Sequence, residues 1–200
     1  MKGEFVVHDD NSYMEFLEGE EKEREMVRKT TRTLYARNNQ KEEVTINDFV
    51  PKIVLGKGAF GTVLLVEKKD TKELFAMKSI NKDDIVKKDQ IEHTKTEKMI
   101  LEHVNHPFLV GLAYAFQTPH KLYFIMQFMR GGELFQHLSN LKKFPEKQAK
   151  FYAMQIALGL GHLHSKDFIY RDLKLENVLM DDHGNVSLTD FGMAKIVRDG

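Results

Sequence analysis

Between Tyr170 and Gly192 the chain reads YRDLKLENVLMDDHGNVSLTDFG. Asp172, Asn177 and Asp190 interrupt an otherwise apolar pattern that includes Leu173, Leu175, Val178, Leu179, Met180, Val186 and Leu188. Burying carboxylates is costly unless cations or hydrogen-bond donors meet them. The chain therefore has to fold so that positive charge or donor groups reach this segment, and no other stretch restricts its fold as tightly.

A source of that charge lies upstream. LFAMKSI alternates as a strand, with Leu74, Ala76, Lys78 and Ile80 on one face. A lysine among apolar neighbours either snorkels past an edge or points inward and is paired. The stretch KKDQIEHTKTEKMILEHV reads as a charged helix stopping near Pro107, which disfavours helix at the residue before it. On it Glu97 and Leu101 share a face, so Glu97 can approach the sheet beside a packed leucine.

A third element precedes the lysine strand. In GKGAFGTV, Gly56, Gly58 and Gly61 form a G-x-G-x-x-G, and TVLLVE continues as strand. Glycines let backbone N–H groups approach phosphates closely and accept positive φ. A dinucleotide fold is a poor rival, because there the glycines open a helix. An ordinary glycine-rich hairpin stays open as a reading of this motif taken by itself.

Around these motifs the chain divides in two. DFVPKIVL, TVLLVEKK, LFAMKSI, VGLAYAFQ and KLYFIMQFM read as strands, with DTKE and TPH as turns. After Gly131 and Gly132 the period becomes helical. FPEKQAKFYAMQIALGLGHLHSK places Pro145 where a first helical turn tolerates it, and Ala149, Tyr152, Ile156, Leu160 and Leu163 at spacings of three and four. The implied class is α+β in two lobes: residues 46–129 rich in strand and 130–200 rich in helix. Residues 1–45 are dense in mixed charge and read as a solvated helix or a flexible extension.

Bulk properties remove several function classes. Thirty basic and thirty acidic side chains cancel, unlike the basic excess of a nucleic-acid binder. There is no cysteine, so neither a disulfide framework nor a thiolate site can form, which fits a reducing compartment. No apolar run approaches membrane-spanning length. A soluble, cytoplasmic protein is the expectation, with nuclear shuttling left open.

The four motifs, in this order, resemble those of a eukaryotic protein kinase from residue 49 onward. GKGAFGTV is similar to the glycine-rich loop, AMK to the third-strand lysine, YRDLKLEN to the catalytic loop and DFG to the metal-binding motif. Tyr170, HTKTEKMIL, HPFLVGL, LYFIMQFMRGGELF and TDFGMAK resemble the AGC group. Within it, VTINDFVPKIVLGKGAFGTV and KLEN resemble protein kinase B, whereas HTK, YAFQT and LGHLH resemble the ribosomal-protein kinases.

The resemblance implies a bilobal kinase fold, its helical lobe incomplete, that transfers the γ-phosphoryl group of ATP to Ser or Thr hydroxyls. Asp172 would orient the hydroxyl and accept its proton, and Lys174 would neutralise the transferring group. Lys78, held by Glu97, would pair with the phosphates, and Asn177 and Asp190 would hold Mg2+. The nucleotide would lie against Leu55, Gly56, Lys57, Gly58, Ala59, Phe60, Gly61, Thr62, Val63 and Ala76. Met126 would gate the rear of the pocket, backbone groups of Gln127 to Met129 would meet the adenine edge, and Glu133 would line the front. Leu101, Leu112, Tyr170 and Phe191 match a hydrophobic stack.

Glu133 and Glu176 match positions that read basic residues before the target, and an upstream activating kinase would fit the same likeness. Family members continue beyond the equivalent of Gly200 with further helices. The sequence is therefore expected to be part of a longer polypeptide, exposing apolar surface from FYAMQIALGLGHL. The rival reading is a non-catalytic, nucleotide-binding regulator, and it is disfavoured because a scaffold has no need of Lys78, Asp172 and Asp190 together.

Overall fold

The structure, a computed structural model, describes residues 44–58, 61–87 and 90–197. Most of the charged extension expected at 1–45, together with Ala59 and Phe60, lies outside the described residues. The described residues belong to one compact unit.

That unit opens on a 3-10 turn, Ile46–Asp48, with a reciprocal cap. Asn47 N donates to Thr45 Oγ1, and Thr45 N donates to the Asp48 carboxylate at 2.7 Å. The turn releases β1 (Phe49–Gly58), which pairs with β2 (Gly61–Lys68). β3 (Leu74–Asn81), β4 (Leu112–Gln117) and β5 (Lys121–Gln127) complete a five-stranded antiparallel sheet in the order β1-β2-β3-β5-β4. Lys72 closes the DTKE turn with φ +60°, and Thr118 N donates to Lys121 O across the TPH turn.

Strand alternation gives each face of this sheet its own core. Phe49, Val66, Met77, Tyr123 and Ile125 are buried on one face. Their ring neighbours include Phe116, stacked on Tyr123 at 5.1 Å. Ile80, Phe124 and Met126 join the main core on the other.

Two helices follow β3. The short α1 (Lys82–Lys87) buries Ile85 and was not anticipated. Its signal was Asn81, which donates to Asp84 at 2.9 Å, with Asp83 and Asp84 in the first turn and Lys87 in the last. The anticipated charged helix begins later, as α2 (Ile91–His103). Residues 107–110 then run alongside a later strand, β9 (Val186–Leu188). Leu109 bridges Leu188 in parallel, Val110 N donates to Leu188 O at 2.8 Å and Leu188 N donates to Phe108 O at 2.9 Å. This seam joins the two halves.

The second half comprises β6 (Gly132–Glu133), α3 (Leu134–Leu141), α4 (Glu146–His164), β7 (Phe168–Ile169), β8 (Val178–Met180) and β10 (Lys195–Ile196). β6, β8 and β9 form one small sheet, and β7 pairs with β10. Gly131 must be glycine, since a Cβ there would lie 2.8 Å from Met180 and Asp181 atoms. Gly132, at φ +71°, makes the turn into β6.

The expected inner face of α4 needs correction. Pro145 is the N-cap, one position ahead of the first turn. Tyr152 and Leu163 are buried and Ile156 and Leu160 partly so, but Ala149 is exposed. Gln155 and Gly159 occupy the buried stripe instead. The backbone of residues 107–110 and β9 comes so close that Gly159 is needed: a Cβ there would meet Phe108 O at 2.9 Å. Phe151 and Leu158 on the same helix are exposed. Among the described residues, no helix is long and apolar enough to cross a membrane.

Candidate active site

The two halves converge on Lys78. Strand alternation points it to the inner face of β3, opposite Val63 of β2 and Phe124 of β5. Its Nζ lies 2.5 Å from Glu97 Oε1 and 3.4 Å from Asp190 Oδ1. Glu97 is buried on α2, one helical turn from buried Leu101. Burial pushes the Lys78 ammonium down, but Glu97 and then Asp190 more than offset this and its pKa is raised. Burial likewise lifts the Glu97 carboxyl above the ordinary carboxylate range, while Lys78 pulls it back.

Asp190 leaves β9 with φ +57°, in the left-handed region that L residues seldom adopt. Its carboxylate accepts from Gly192 N at 3.4 Å. A Cβ on Gly192 would stand 3.3 Å from Asp190 Oδ1 and 3.8 Å from Glu97 Oε2. Glycine there leaves the carboxylates room around Lys78. Beneath them Phe191 is fully buried, and Tyr170 meets it edge-on at 5.8 Å. Leu101 and Leu112 belong to the same core, so the four stack residues share one cluster.

The remaining polar residues form a second knot. Asp172 Oδ2 accepts from Lys174 Nζ at 2.8 Å and from Asn177 Nδ2 at 2.8 Å. Asn177 Nδ2 also reaches Asp172 O at 3.0 Å. Arg171, at φ +64°, turns this loop, and its Nε donates to Met193 O at 2.7 Å. The hydrogen bond with Asp172 raises the Lys174 pKa. The two knots are linked through Thr189, whose N–H donates to Asn177 O at 3.0 Å and whose carbonyl accepts from Tyr170 OH. Both polar clusters thus depend on β8 and β9, which bring Asn177 and Asp190 to one end of a hairpin.

The glycine hairpin is formed by β1 and β2, and β2 pairs with the lysine strand. None of Gly56, Gly58 and Gly61 has positive φ. Gly61 is required by packing, since a Cβ would lie 1.8 Å from Ser79 O on β3. Gly56 faces open space, with nothing within 4 Å of the same position. Leu55 is exposed, Lys57 likewise, and Thr62 and Val63 are half-buried. Ala76 lies directly across from Met126, and Leu112 flanks Met126 on its other side.

The expectation for the strip after Met126 is narrowed. Gln127 N–H already donates to Gly111 O at 3.0 Å, and Met129 O accepts from Gly132 N at 3.2 Å. Gln127 would offer an incoming base its carbonyl, and Met129 its N–H. Glu133 on β6 and Glu176 beside Asn177 are both exposed, and β6 pairs with β8.

The donor chemistry fits magnesium on a nucleotide. Among the described residues no three His, Asp or Glu side chains gather into a metal cage. Asn177 and Asp190 supply one amide and one carboxylate. Mg2+ commonly binds through one or two carboxylates and completes its shell with phosphate oxygens and water.

Comparison with known proteins points the same way. Residues 49–200 match the family described as Protein kinase domain. A Dictyostelium discoideum RAC family serine/threonine-protein kinase homolog is 50% identical over 154 residues, 77% of this chain and 35% of the relative. The mouse RAC-beta serine/threonine-protein kinase is 48% identical over 158 residues, 79% of this chain and 33% of its own. The Drosophila melanogaster RAC serine/threonine-protein kinase is 48% identical over 154 residues, 77% of this chain and 25% of its own. The chain spans about a third or less of the length of these curated relatives.

Proposed function

The chain belongs to the protein kinase family, and on that premise we propose that the protein it forms part of transfers the γ-phosphoryl group of ATP to Ser or Thr hydroxyls of protein substrates. The observation that carries this reading is the meeting of Lys78, Glu97 and Asp190 from β3, from α2 and from the segment after β9. A cation placed between two carboxylates can exchange one of them for phosphate once the nucleotide arrives.

In this reading Lys78, fixed by Glu97, pairs with the α- and β-phosphates. Asp190 and Asn177 hold magnesium, which neutralises charge on the phosphate oxygens when bound. Asp172 orients the substrate hydroxyl and takes its proton. Lys174, 2.8 Å from Asp172, swings toward the transferring group, where a preorganised cation acts most strongly. Leu55, Val63, Ala76 and Met126 wall the adenine, and Gly56 gives the phosphates room. Lys57 and Thr62, paired across β1 and β2, flank them.

Exposed Glu133 and Glu176 favour substrates with arginine before the target residue. A cytoplasmic place of action is proposed from the cysteine-free composition, and control by an upstream kinase from the likeness to AGC kinases.

The test is phosphotransfer to protein by the complete protein against Asp172→Asn. Loss of a general base should reduce kcat by about 10²-fold or more. An Asn variant as active as the parent would overturn the mechanism. Peptides with and without the upstream arginine test the specificity claim, which equal turnover would remove.

A further inference from the structure

Gln155 is the one polar residue on the buried stripe of α4, and it is fully buried. Leucine or methionine there would continue the apolar face without the desolvation cost of an amide. Both ends of the amide are used. Oε1 accepts from Val186 N at 2.8 Å and Nε2 donates to Asn185 Oδ1 at 2.9 Å. Asn185 is in turn tied to the Asp181 carboxylate through its backbone N at 2.8 Å and its Nδ2 at 3.2 Å. One side chain therefore fixes both the turn between β8 and β9 and the first residue of β9.

Those strands are three residues each, too short to hold their own register. Asn177 directly precedes β8, and Asp190 follows β9 by two residues. A slip of one residue would reverse every side chain on the moving strand. Ser187 Oγ donates to Pro107 O at 2.9 Å and holds β9 against the segment leading from α2. Gln155 holds it against α4.

We propose that Gln155 is a positioning residue for the phosphoryl-transfer site, setting the β8–β9 hairpin so that Asn177 and Asp190 keep a metal-binding spacing. The inference rests on the metal roles proposed above. Supporting contacts behind metal ligands typically alter metal affinity by about 10- to 100-fold when removed.

The test uses the complete protein with a non-hydrolysable ATP analogue, and Mn2+ uptake is followed by electron paramagnetic resonance. Gln155→Met keeps the length and removes both hydrogen bonds. Val66→Ala, in the core on the opposite face of the large sheet, serves as a destabilised control. Gln155→Met should bind Mn2+ about tenfold more weakly and raise KM for Mg-ATP more than it lowers kcat. Val66→Ala should lower the melting temperature and leave Mn2+ affinity unchanged. Equal affinities in Gln155→Met and the parent would overturn the inference, as would equal weakening in Val66→Ala. If Gln155→Met fails to fold, Asn185→Ala removes the Nε2 contact together with the Nδ2 bond to Asp181, and unchanged Mn2+ binding there overturns it too. A parent protein that takes up no Mn2+ overturns the active-site reading as well, which separates the two failures.

Discussion

Lys78 Nζ and Glu97 Oε1 stand 2.5 Å apart, joining β3 to α2 across 19 positions of sequence, with only 6% of the Glu97 side chain exposed. A buried pair is sensitive to losing one member, because the other is left uncompensated. Lys78→Met should cost about 3–5 kcal/mol near neutral pH.

The same variant has a signature in pH. Without the ammonium, the Glu97 carboxyl is pushed up by burial and by Asp190 with no lysine to pull it back. Between the unfolded and the raised folded value the native state holds more protons than the unfolded chain. Stability therefore falls as pH rises through that window. Melting curves from about pH 5 to about pH 8 should slope downward more steeply in Lys78→Met than in the parent, and the slope should vanish on adding Glu97→Gln. Parallel slopes in parent and variant would show that Glu97 does not depend on Lys78.

The glycines of the hairpin should separate by substitution. Gly61→Ala drives a methyl into Ser79 O and should destabilise by about 1–3 kcal/mol. Gly56→Ala meets nothing within 4 Å. It should leave the melting temperature unchanged while weakening nucleotide binding, measured by fluorescence titration with an ATP analogue. Equal melting losses in both would contradict the packing described here.

His106 and His162 stack at 4.9 Å between the segment after α2 and the end of α4. Burial, and then His162, hold His106 down at about 4. Burial and then Lys166 lower His162 as well. For a depressed histidine the unfolded chain takes up protons first, so stability is full above the ordinary value of 6.5 and lost as pH falls toward 4. His106→Asn, which keeps an acceptor for Phe108 N, should recover about 1 kcal/mol of the stability lost at about pH 5, after discounting for solvent screening. Urea unfolding at that pH and at about pH 7.5 measures it, and an undiminished acid loss would locate the proton uptake elsewhere.

Tyr170→Phe keeps the edge-on contact with Phe191 and removes the hydrogen bond to Thr189 O. The expected cost is about 1 kcal/mol, or a drop of about 2–4 °C in melting temperature. No change in Tm would mean that water replaces the hydroxyl without penalty.

Much of this was legible along the chain because it repeats at short range. Five segments read as strands, with alternation clear in LFAMKSI, and all five are found in the large sheet within a few residues of their expected bounds. The end of α2 was readable ahead of Pro107. Less legible was whatever depends on a neighbour distant in sequence. The helical spacing in α4 put Ala149 inside, whereas the approach of β9 and of residues 107–110 turned Gln155 and Gly159 inward. The packing demand on Gly61 was not legible, because it comes from Ser79 on the adjacent strand.

The sequence by itself determined which residues are available for the chemistry: a strand lysine, a loop aspartate with an asparagine five positions on, and an aspartate before Phe-Gly. Only the tertiary structure decided which of them meet. Glu92, Glu97 and Glu102 all lie on α2, but Glu92 pairs with Lys95 and Glu102 with Lys98 on exposed surface, while Glu97 is turned to Lys78. Local spacing fixes contacts within one helix. The rotation at which that helix docks is set by burying Ile100 and Leu101 against the sheet and the second half, and that packing selects the carboxylate which loses water and faces the lysine.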